Sequence, residues 1–299
     1  TRSIPILVMV AFLNALCFPL ITLGLEHAPH ITFATLRAMI AGLSLALVAA
    51  ILGRPIPTDV GSWIALGAIG LGATTLAYFG MFHAAEFVSP GLATILTNTQ
   101  PLIAAVLAFG VLSERLRPAQ YMGLGIGFLG IITVAMPRFG FVDGIGEVAA
   151  LSYALLAAVG LAVSNVVMKT IRGRIDPIVA MAAQLLLGAL PLAILALLTE
   201  QPSEIHLSPG FALALVLLAL PGTALSYWLW FWVLERIPLT YANAFTFLTP
   251  VLALLLGVMA FDEQVGPLLV LGLILTCIEC HDPKQKRKHR CKEREGKSV

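Results

Sequence analysis

The chain is a succession of long apolar segments separated by short polar connections. Stretches with almost no Asp, Glu, Lys or Arg cover residues 3–25, 31–53, 60–85, 87–113, 118–137, 148–168, 177–199, 207–234, 237–261 and 264–278. A helix needs about 20 apolar residues to cross the hydrocarbon core of a bilayer. These runs lack the alternation of polar and apolar residues that marks the strands of a membrane barrel. Backbone N–H and C=O groups in lipid must form hydrogen bonds with one another, which a helix achieves within its own segment. The pattern predicts an all-α, polytopic membrane protein with ten transmembrane helices.

The second half of this pattern repeats the first. Shifting the segment Ser89–Pro118 by 149 positions places it on Pro238–Pro267, and the same offset holds upstream. Matched pairs include Thr74/Thr223, Tyr78/Tyr227, Ala93/Ala242, Thr97/Thr246, Pro101/Pro250, Glu114/Glu263 and Gly123/Gly272. Such a repeat indicates an internal duplication. We predict one repeat over residues 1–140 and a second over 141–280, with a basic tail over 281–299 that departs from the repeat.

Each predicted repeat has five spans, and an odd number turns the second copy upside down in the membrane. Glu114 and Glu263 are then expected on opposite faces. Inverted repeats place a solute site near the midplane, at their interface, and supply two mirror-related conformations.

Composition agrees with a chain that lies in lipid. Hydrophobic residues make up 59% and charged residues 11%, with a mean hydropathy of +0.95. A soluble domain carries about 25% charge. If the N-terminus is cytoplasmic, nearly all basic residues fall on that side: Arg2, Arg54, Arg115, Arg117, Lys169, Arg172, Arg174, Arg236 and the tail. This asymmetry predicts a multi-pass inner-membrane protein with both termini cytoplasmic. The first apolar run has no cleavage site of the signal-peptide kind.

Two matched polar stripes are candidates for the wall of a cavity. Thr94, Thr97, Asn98 and Pro101 have the spacing of one helical face, and Asn243, Thr246 and Pro250 lie in the second copy. Hydrogen bonding between helices is the alternative reading of such stripes. Pro101 and Pro250 could each serve as a hinge, free a binding carbonyl or only kink a helix.

Further candidates lie on neighbouring spans. Tyr78 and Tyr227 occupy matched positions, Trp228 follows, and Asn14 and Asn165 supply polar groups to spans 1 and 6. His83 is the intramembrane histidine, with an interfacial hydrogen-bonding role as the alternative. The predicted solute-binding set is Asn14, Tyr78, His83, Thr94, Asn98, Asn165, Tyr227, Trp228, Asn243 and Thr246.

Charge inside the predicted spans is scarce. No Asp or Glu lies at the centre of a span, which favours facilitated diffusion over proton coupling because a coupled carrier usually holds a buried carboxylate or histidine. For Arg37 we expect an extended side chain that reaches the interface or caps a neighbouring helix terminus, with anion binding as the alternative. Lys169 is expected to be an interfacial cation.

This combination of features resembles the EamA-type transporters of the drug/metabolite transporter superfamily. The residues that carry the resemblance are Pro101, Glu114, Gly123 and Gly130 in the first half, with Pro250, Glu263 and Gly272 in the second. The resemblance implies a ten-helix inner-membrane carrier with a central cavity. Within the family the chain is most similar to bacterial exporters of amino acids and related metabolites.

Other functions have less support. Cys277, Cys280 and His281 form C-x-x-C-H, but the motif falls in the anomalous tail, so we predict no metal and no cofactor. No nucleotide or nucleic-acid module is present, and no nucleophile–base set suggests an enzyme. The expected partners are a small-molecule solute and the lipid bilayer, and the expected state is a monomer. The alternatives are a carrier of drug-like cations, sugars or nucleotide derivatives, and an intramembrane enzyme or receptor.

Overall fold

A computed structural model of the chain describes residues 3–87, 96–112, 125, 129, 144–201, 205–246 and 248–261. Within these ranges the regular elements are all helical, and no strand occurs. The α-helices are α1 (Ser3–Ala15), α2 (Cys17–Leu25), α3 (His30–Ile51), α4 (Val60–Gly70), α5 (Ala77–Phe87), α6 (Gln100–Leu112), α7 (Gly144–Thr170), α8 (Pro177–Thr199), α9 (Pro209–Ala219), α10 (Ser226–Leu234), α11 (Leu239–Thr246) and α12 (Leu248–Phe261). The all-α prediction is confirmed for the described part of the chain.

Six continuous helical segments are long and apolar enough to cross a membrane. They are Ser3–Leu25, His30–Ile51, Val60–Phe87, Val148–Thr170, Pro177–Thr199 and Pro209–Leu234. Each one coincides with a span predicted from the sequence. The predicted spans at 118–137 and 264–278 fall almost entirely outside the described residues, as does the tail, so the total of ten stays a prediction.

Helix starts follow signals that are visible in the sequence. Asp59 accepts a hydrogen bond from the backbone N–H of Ser62 at 2.7 Å and caps α4. Asp176 precedes Pro177 and caps α8, and Ser208 precedes Pro209 and caps α9. A polar cap followed by proline suits a helix start, because the first backbone N–H groups have no partner inside the helix.

Two spans contain a π-helical turn at matching positions. The first, Leu71–Leu76, joins α4 to α5, and the second, Leu220–Leu225, joins α9 to α10. The two turns are 149 positions apart, the offset of the sequence repeat. A π turn widens the helix locally and is frequent at functional sites. Each of these turns carries a fully buried threonine, Thr74 or Thr223.

The spans that carry Pro101 and Pro250 are both interrupted. Asn98 and Thr99 form a turn just before α6 begins at Gln100, so Pro101 is the second residue of that helix. Pro250 is the third residue of α12, which follows α11 after one residue. A proline in the first turn of a helix removes no intrahelical hydrogen bond. The turn at Asn98 and Thr99 interrupts the helix that the predicted face assumed, and a shared face of Asn98 and Pro101 stays a prediction.

Glycines bring the first π-containing span against α7 and α8. A Cβ atom on Gly72 would lie 2.6 Å from the carbonyl oxygen of Gly160, and one on Gly188 would overlap the backbone of Gly70. Small residues allow this approach of backbones, which is a main source of helix association in membranes. α3 also packs along α8.

Two hydrophobic clusters fill the bundle, one toward each end. The first contains Phe33, Phe82 and Phe211. The second contains Leu45, Leu66, Ile171 and Leu234 among others. Along α3, the first cluster extends to Ala38 and the second begins at Ala41. The functional residues described next lie near this boundary.

Candidate functional site

Arg37 lies inside the helix bundle. It is seven residues from the start of α3, about 10 Å along the helix axis, and its exposed fraction is 2%. Its Nε donates a hydrogen bond to Oγ1 of Thr223 at 2.7 Å, and its Nη2 donates to Sγ of Cys17 at 3.4 Å. The expectation that Arg37 extends to the interface is wrong. Residue 37 faces other helices rather than lipid, and a polar partner on a distant span holds the side chain there.

Two tyrosines complete the surroundings of this guanidinium. Cζ of Arg37 lies 4.3 Å from the ring centroid of Tyr78, a cation–π contact. The rings of Tyr78 and Tyr227 meet edge to face with centroids 6.5 Å apart. The hydroxyl of Tyr227 donates a long hydrogen bond of 3.4 Å to the carbonyl oxygen of Ala73. The structure thus brings together the two matched tyrosines of the predicted set.

The positive charge of Arg37 has no carboxylate partner among the described residues. In the part of the chain that the structure describes, its Nη1 is buried without a hydrogen-bond partner, and the same holds there for the hydroxyl of Tyr78 and Nε2 of Gln184. A buried charge without a counter-ion is costly, and inside a membrane it usually marks a functional site. The guanidinium and the tyrosine packed against it therefore offer donors that no acceptor among the described residues uses.

Polar contacts cross between the two sequence repeats in a reciprocal way. Thr223, in the second repeat, accepts from Arg37 in the first. Thr74, the match of Thr223, donates to Oε1 of Gln184 in the second repeat at 3.0 Å. Gln184 holds the position in α8 that corresponds closely to Arg37 in α3. Each π turn therefore presents its threonine to the second span of the other repeat.

The π turn also explains why Thr223 can accept. Its hydroxyl donates to the carbonyl oxygen of Leu218, five residues earlier, at 2.8 Å. A hydroxyl has one proton and two lone pairs, so the lone pairs stay available for Arg37. The hydrogen bonds thus run in one direction, from Arg37 through Thr223 to Leu218.

A second polar layer is built on α10. Oγ of Ser226 donates to Oδ1 of Asn14 at 2.8 Å, and Nε1 of Trp230 donates to Oδ1 of Asn165 at 2.8 Å. The predicted residues Asn14 and Asn165 thus both accept from one helix. Trp228, the tryptophan of the predicted solute-binding set, packs half-buried against the hydrophobic cluster that holds Leu45.

A small cavity lies beside this layer, between α1, α10, α11 and α12. Its lining includes two residues of the predicted set, Asn14 and Thr246, with Trp230 and Thr249 as the further polar groups and Leu7, Val10, Ala11 and Phe245 as apolar wall. The predicted solute-binding set did not include Trp230, Thr249 or Arg37, although anion binding was the alternative prediction for Arg37. A signal for Arg37 was present, since it is the charged residue that interrupts an apolar span.

Asn243 is buried in α11 beside this cavity-lining segment. Neither its amide nitrogen nor its amide oxygen has a hydrogen-bond partner within the described ranges. Such a group costs free energy unless a ligand or water satisfies it. Asn98 lies at the turn before α6, and Thr94 lies outside the described residues.

His83 belongs to a separate group of side chains. Its ring packs against Phe79, Tyr153 and His30, with ring centroids 4.1, 5.0 and 4.9 Å away, and its Nδ1 lies 2.8 Å from the carbonyl oxygen of Phe79. His30 in turn pairs with Glu86 at the end of α5. These contacts give His83 a packing role near the helix ends and do not involve the Arg37 group.

Comparison with known proteins assigns the chain to a family. The model of the EamA-like transporter family matches residues 1–136 and again 148–279. The chain is similar to a WAT1-related chloroplastic protein of Arabidopsis thaliana, with 28% identity over 82% of the chain and 60% of that longer protein. It is also similar to the uncharacterized transporter YoaV of Bacillus subtilis, with 27% identity over 85% of the chain and 87% of the relative.

A solved crystal structure shares the fold. It is 21% identical to this chain, superposes with a TM-score of 0.75, and the match covers 92% of this chain and 94% of the other. The chain spans less than two thirds of the plant relative, whereas it spans most of the bacterial one. Since the family model covers both halves, the chain belongs to the EamA-like transporter family and is a membrane transporter of the drug/metabolite transporter superfamily.

Proposed function

We propose that this protein exports small metabolites, namely neutral or aromatic amino acids, by alternating access between two inverted repeats. The observation that carries the proposal is the reciprocal pairing of Arg37 with Thr223 and of Thr74 with Gln184. Such pairs join the repeats near the middle of the bundle. In a carrier of this kind, rocking one repeat against the other around a central site exposes that site to each side in turn.

The chemistry around Arg37 suits a small zwitterionic solute. Tyrosine rings can stack on an apolar or aromatic side chain. The amide oxygens of Gln184 and Asn165 each accept one hydrogen bond already, and their second lone pairs can accept from an ammonium group. Among the described residues, Arg37 is the buried charged residue, and no carboxylate is buried. The positive charge of Arg37 would therefore repel a drug-like cation.

The same absence of buried carboxylates in the described ranges supports facilitated diffusion. A proton-coupled carrier needs a group in the solute path that changes protonation state during the cycle. His83 packs in a separate group of side chains. We therefore propose export down the solute gradient, without a coupled proton, by a monomer.

Basic side chains support an orientation with cytoplasmic termini. Arg54 lies 3.4 Å from Asp176, and Lys169 donates to the carbonyl oxygens of Leu234 and Ile237. These contacts bring three connections with basic residues to one end of the bundle. The positive-inside rule assigns that end to the cytoplasm of the inner membrane.

Flux measurements in proteoliposomes test the proposal. Vesicles that hold the full chain and labelled phenylalanine, leucine or alanine should release solute several times faster than protein-free vesicles, and an imposed pH gradient should leave the rate unchanged. Tyr78→Ala, Asn98→Ala and Tyr227→Ala should reduce flux, whereas Leu198→Ala, at a side chain that is 78% exposed toward lipid, should not. Release limited to sugars or organic cations would assign another solute class, and no release of any solute would overturn the proposal.

A further inference from the structure

We propose that Arg37 binds a carboxylate of the transported solute, with the hydroxyl of Tyr78 as an additional donor. This inference rests on the proposed transport function and narrows its substrates to solutes with an exposed anionic carboxylate. It goes beyond the family assignment, which leaves the chemistry of the solute open.

The distribution of hydrogen bonds on Arg37 leaves one edge of the guanidinium available. Nε is used by Thr223 and Nη2 by Cys17, and Nη1 has no partner among the described residues. Guanidinium nitrogens are donors only, so an occupant of this edge must accept. A carboxylate accepts with two oxygens and matches the planar fork of arginine.

The tyrosine packed against the guanidinium has the same polarity. Its ring centroid lies 4.3 Å from Cζ of Arg37, and the hydroxyl of Tyr78 has no hydrogen-bond partner within the described ranges. Both residues are at most 2% exposed. Burying a cation and a further donor without acceptors is costly, and one anionic group would satisfy both.

A purely structural role would not require a positive charge at position 37. The contacts to Thr223 and Cys17 use neutral acceptors, and a neutral amide side chain could hydrogen-bond to one of them without burying a charge. The charge itself is therefore the feature that the protein-internal contacts leave unexplained. An anionic solute explains it, because attraction between opposite charges is strong where water is excluded.

The contacts of Arg37 span both repeats. Arg37 and Tyr78 precede residue 140, and Thr223, which accepts from Arg37, follows it. A carboxylate held on Arg37 would therefore be linked to both moving parts, so its binding and release would couple to the relative motion of the repeats. An amide or amine in the same place would lack the charge that draws it to Arg37.

Matched pairs of ligands test this inference on the unmodified, full-length protein. Thermal unfolding and tryptophan fluorescence in detergent would be followed with phenylalanine against phenylalaninamide, leucine against leucinamide, and benzoate against benzamide. We expect at least one carboxylate to bind with a Kd at least about tenfold below that of its amide, since a charge-assisted bond is replaced by a neutral one. Equal binding within every pair, or binding by none of the six compounds, overturns the inference.

Variants at position 37 separate charge from shape. Arg37→Lys should keep the preference for carboxylates with a higher Kd, and Arg37→Gln should lose the preference while it still binds amides. Tyr78→Phe, which keeps the ring under the guanidinium, should weaken carboxylate binding without removing the preference. If Arg37→Gln folds and retains the wild-type preference, the inference is wrong.

Flux of the same pairs distinguishes failure of this inference from failure of the transport function. Flux of phenylalanine and phenylalaninamide at equal rates, in the wild type and in Arg37→Gln, would overturn the role of Arg37 and leave transport intact. Carboxylate-selective binding in detergent without any flux would support the role of Arg37 and overturn transport.

Discussion

Nε of Arg37 and Oγ1 of Thr223 are 2.7 Å apart although 186 positions separate them in the sequence. The hydroxyl proton of Thr223 is directed to the carbonyl oxygen of Leu218, so the oxygen accepts from the guanidinium. A π turn of a helix in one repeat thus fixes the buried cation of the other. Thr74 and Gln184 repeat the relationship in mirror fashion, with a neutral amide in place of the guanidinium.

Replacement of Thr223 by valine should destabilise the protein. Valine has nearly the same shape but cannot accept, so Nε of Arg37 is left buried and unpaired. We expect a loss of about 1.5–3 kcal/mol in the free energy of unfolding, the range for hydrogen bonds to charged groups. Chemical unfolding in lipid or detergent measures it.

Thr223→Ser is the matched control, because it keeps the hydroxyl and removes only a methyl group. It should lie within about 1 kcal/mol of the wild type. Equal stability of the valine and serine variants would mean that the bond from Arg37 contributes little.

An added methyl group at Gly72 should separate two helices. The Cβ would lie 2.6 Å from the carbonyl oxygen of Gly160 and would overlap Oγ of Ser164. Overpacking of this kind costs about 1–3 kcal/mol. The thermal unfolding temperature of Gly72→Ala should therefore fall.

Gly67→Ala supplies the control on the same span. A Cβ at Gly67 meets nothing within 4 Å, so this variant should be neutral or slightly more stable than the wild type. If Gly72→Ala and Gly67→Ala destabilise the protein to a similar extent, the loss of stability would come from a change in the helix itself and not from a clash with Gly160.

Neutralisation of Glu200 should loosen the start of α3. Its carboxylate accepts from the backbone N–H of Ile31 at 2.8 Å, and from the N–H and hydroxyl of Thr32 at 2.7 Å each. A carboxylate at a helix N-terminus also interacts favourably with the helix dipole. Glu200→Gln should cost about 1–2 kcal/mol and speed amide exchange at Ile31 and Thr32.

Glu235→Gln is a suitable comparison for Glu200→Gln. Glu235 accepts at 3.4 Å from Arg236, whose side chain is well exposed, and surface pairs contribute about 0–1 kcal/mol. Unchanged amide exchange at Ile31 and Thr32 in Glu200→Gln would contradict the capping role.

Replacement of Trp230 by phenylalanine should impair transport. The substitution keeps an aromatic ring in the cavity wall but removes the N–H that donates to Asn165 at 2.8 Å. Asn165 loses its fixed orientation, and we expect flux to fall several-fold while membrane insertion is retained. Initial rates of phenylalanine release from proteoliposomes measure the effect.

Trp63→Phe removes an indole N–H elsewhere on the protein. Trp63 donates to the carbonyl oxygen of Pro57 at 3.0 Å at an exposed position, so transport should be unaffected. A wild-type rate for Trp230→Phe would assign the bond to Asn165 a purely structural role.

Much of the architecture was predictable from the order of residues. Apolar length predicts helices in lipid, because backbone polar groups there have no water to bond with. The predicted spans at 3–25, 60–85 and 177–199 agree with the helices found. The fixed offset of 149 predicted that Thr74 and Thr223, and likewise Tyr78 and Tyr227, hold equivalent positions in the two halves. In the structure each of the two threonines lies in a π turn, Thr223 contacts Arg37, and Thr74 contacts Gln184.

Local signals were insufficient where the chain leaves regular helix geometry. The face through Asn98 and Pro101 was drawn on an unbroken helix, whereas a turn at Asn98–Thr99 interrupts it. Trp228 and Trp230 are two residues apart in one apolar run, and spacing alone cannot say which one faces a neighbour. That choice depends on how α10 is rotated against α1 and α7.

The residue order by itself therefore determined that the chain is helical, membrane-spanning and internally repeated, since each of these properties is a sum over many positions. Only the tertiary structure decided that Arg37 faces inward. An arginine in an apolar span can reach the interface or turn into the bundle, and the balance depends on partners far away in the sequence. Thr223, Cys17 and Tyr78 are those partners, and they meet Arg37 only when spans from both repeats are packed together.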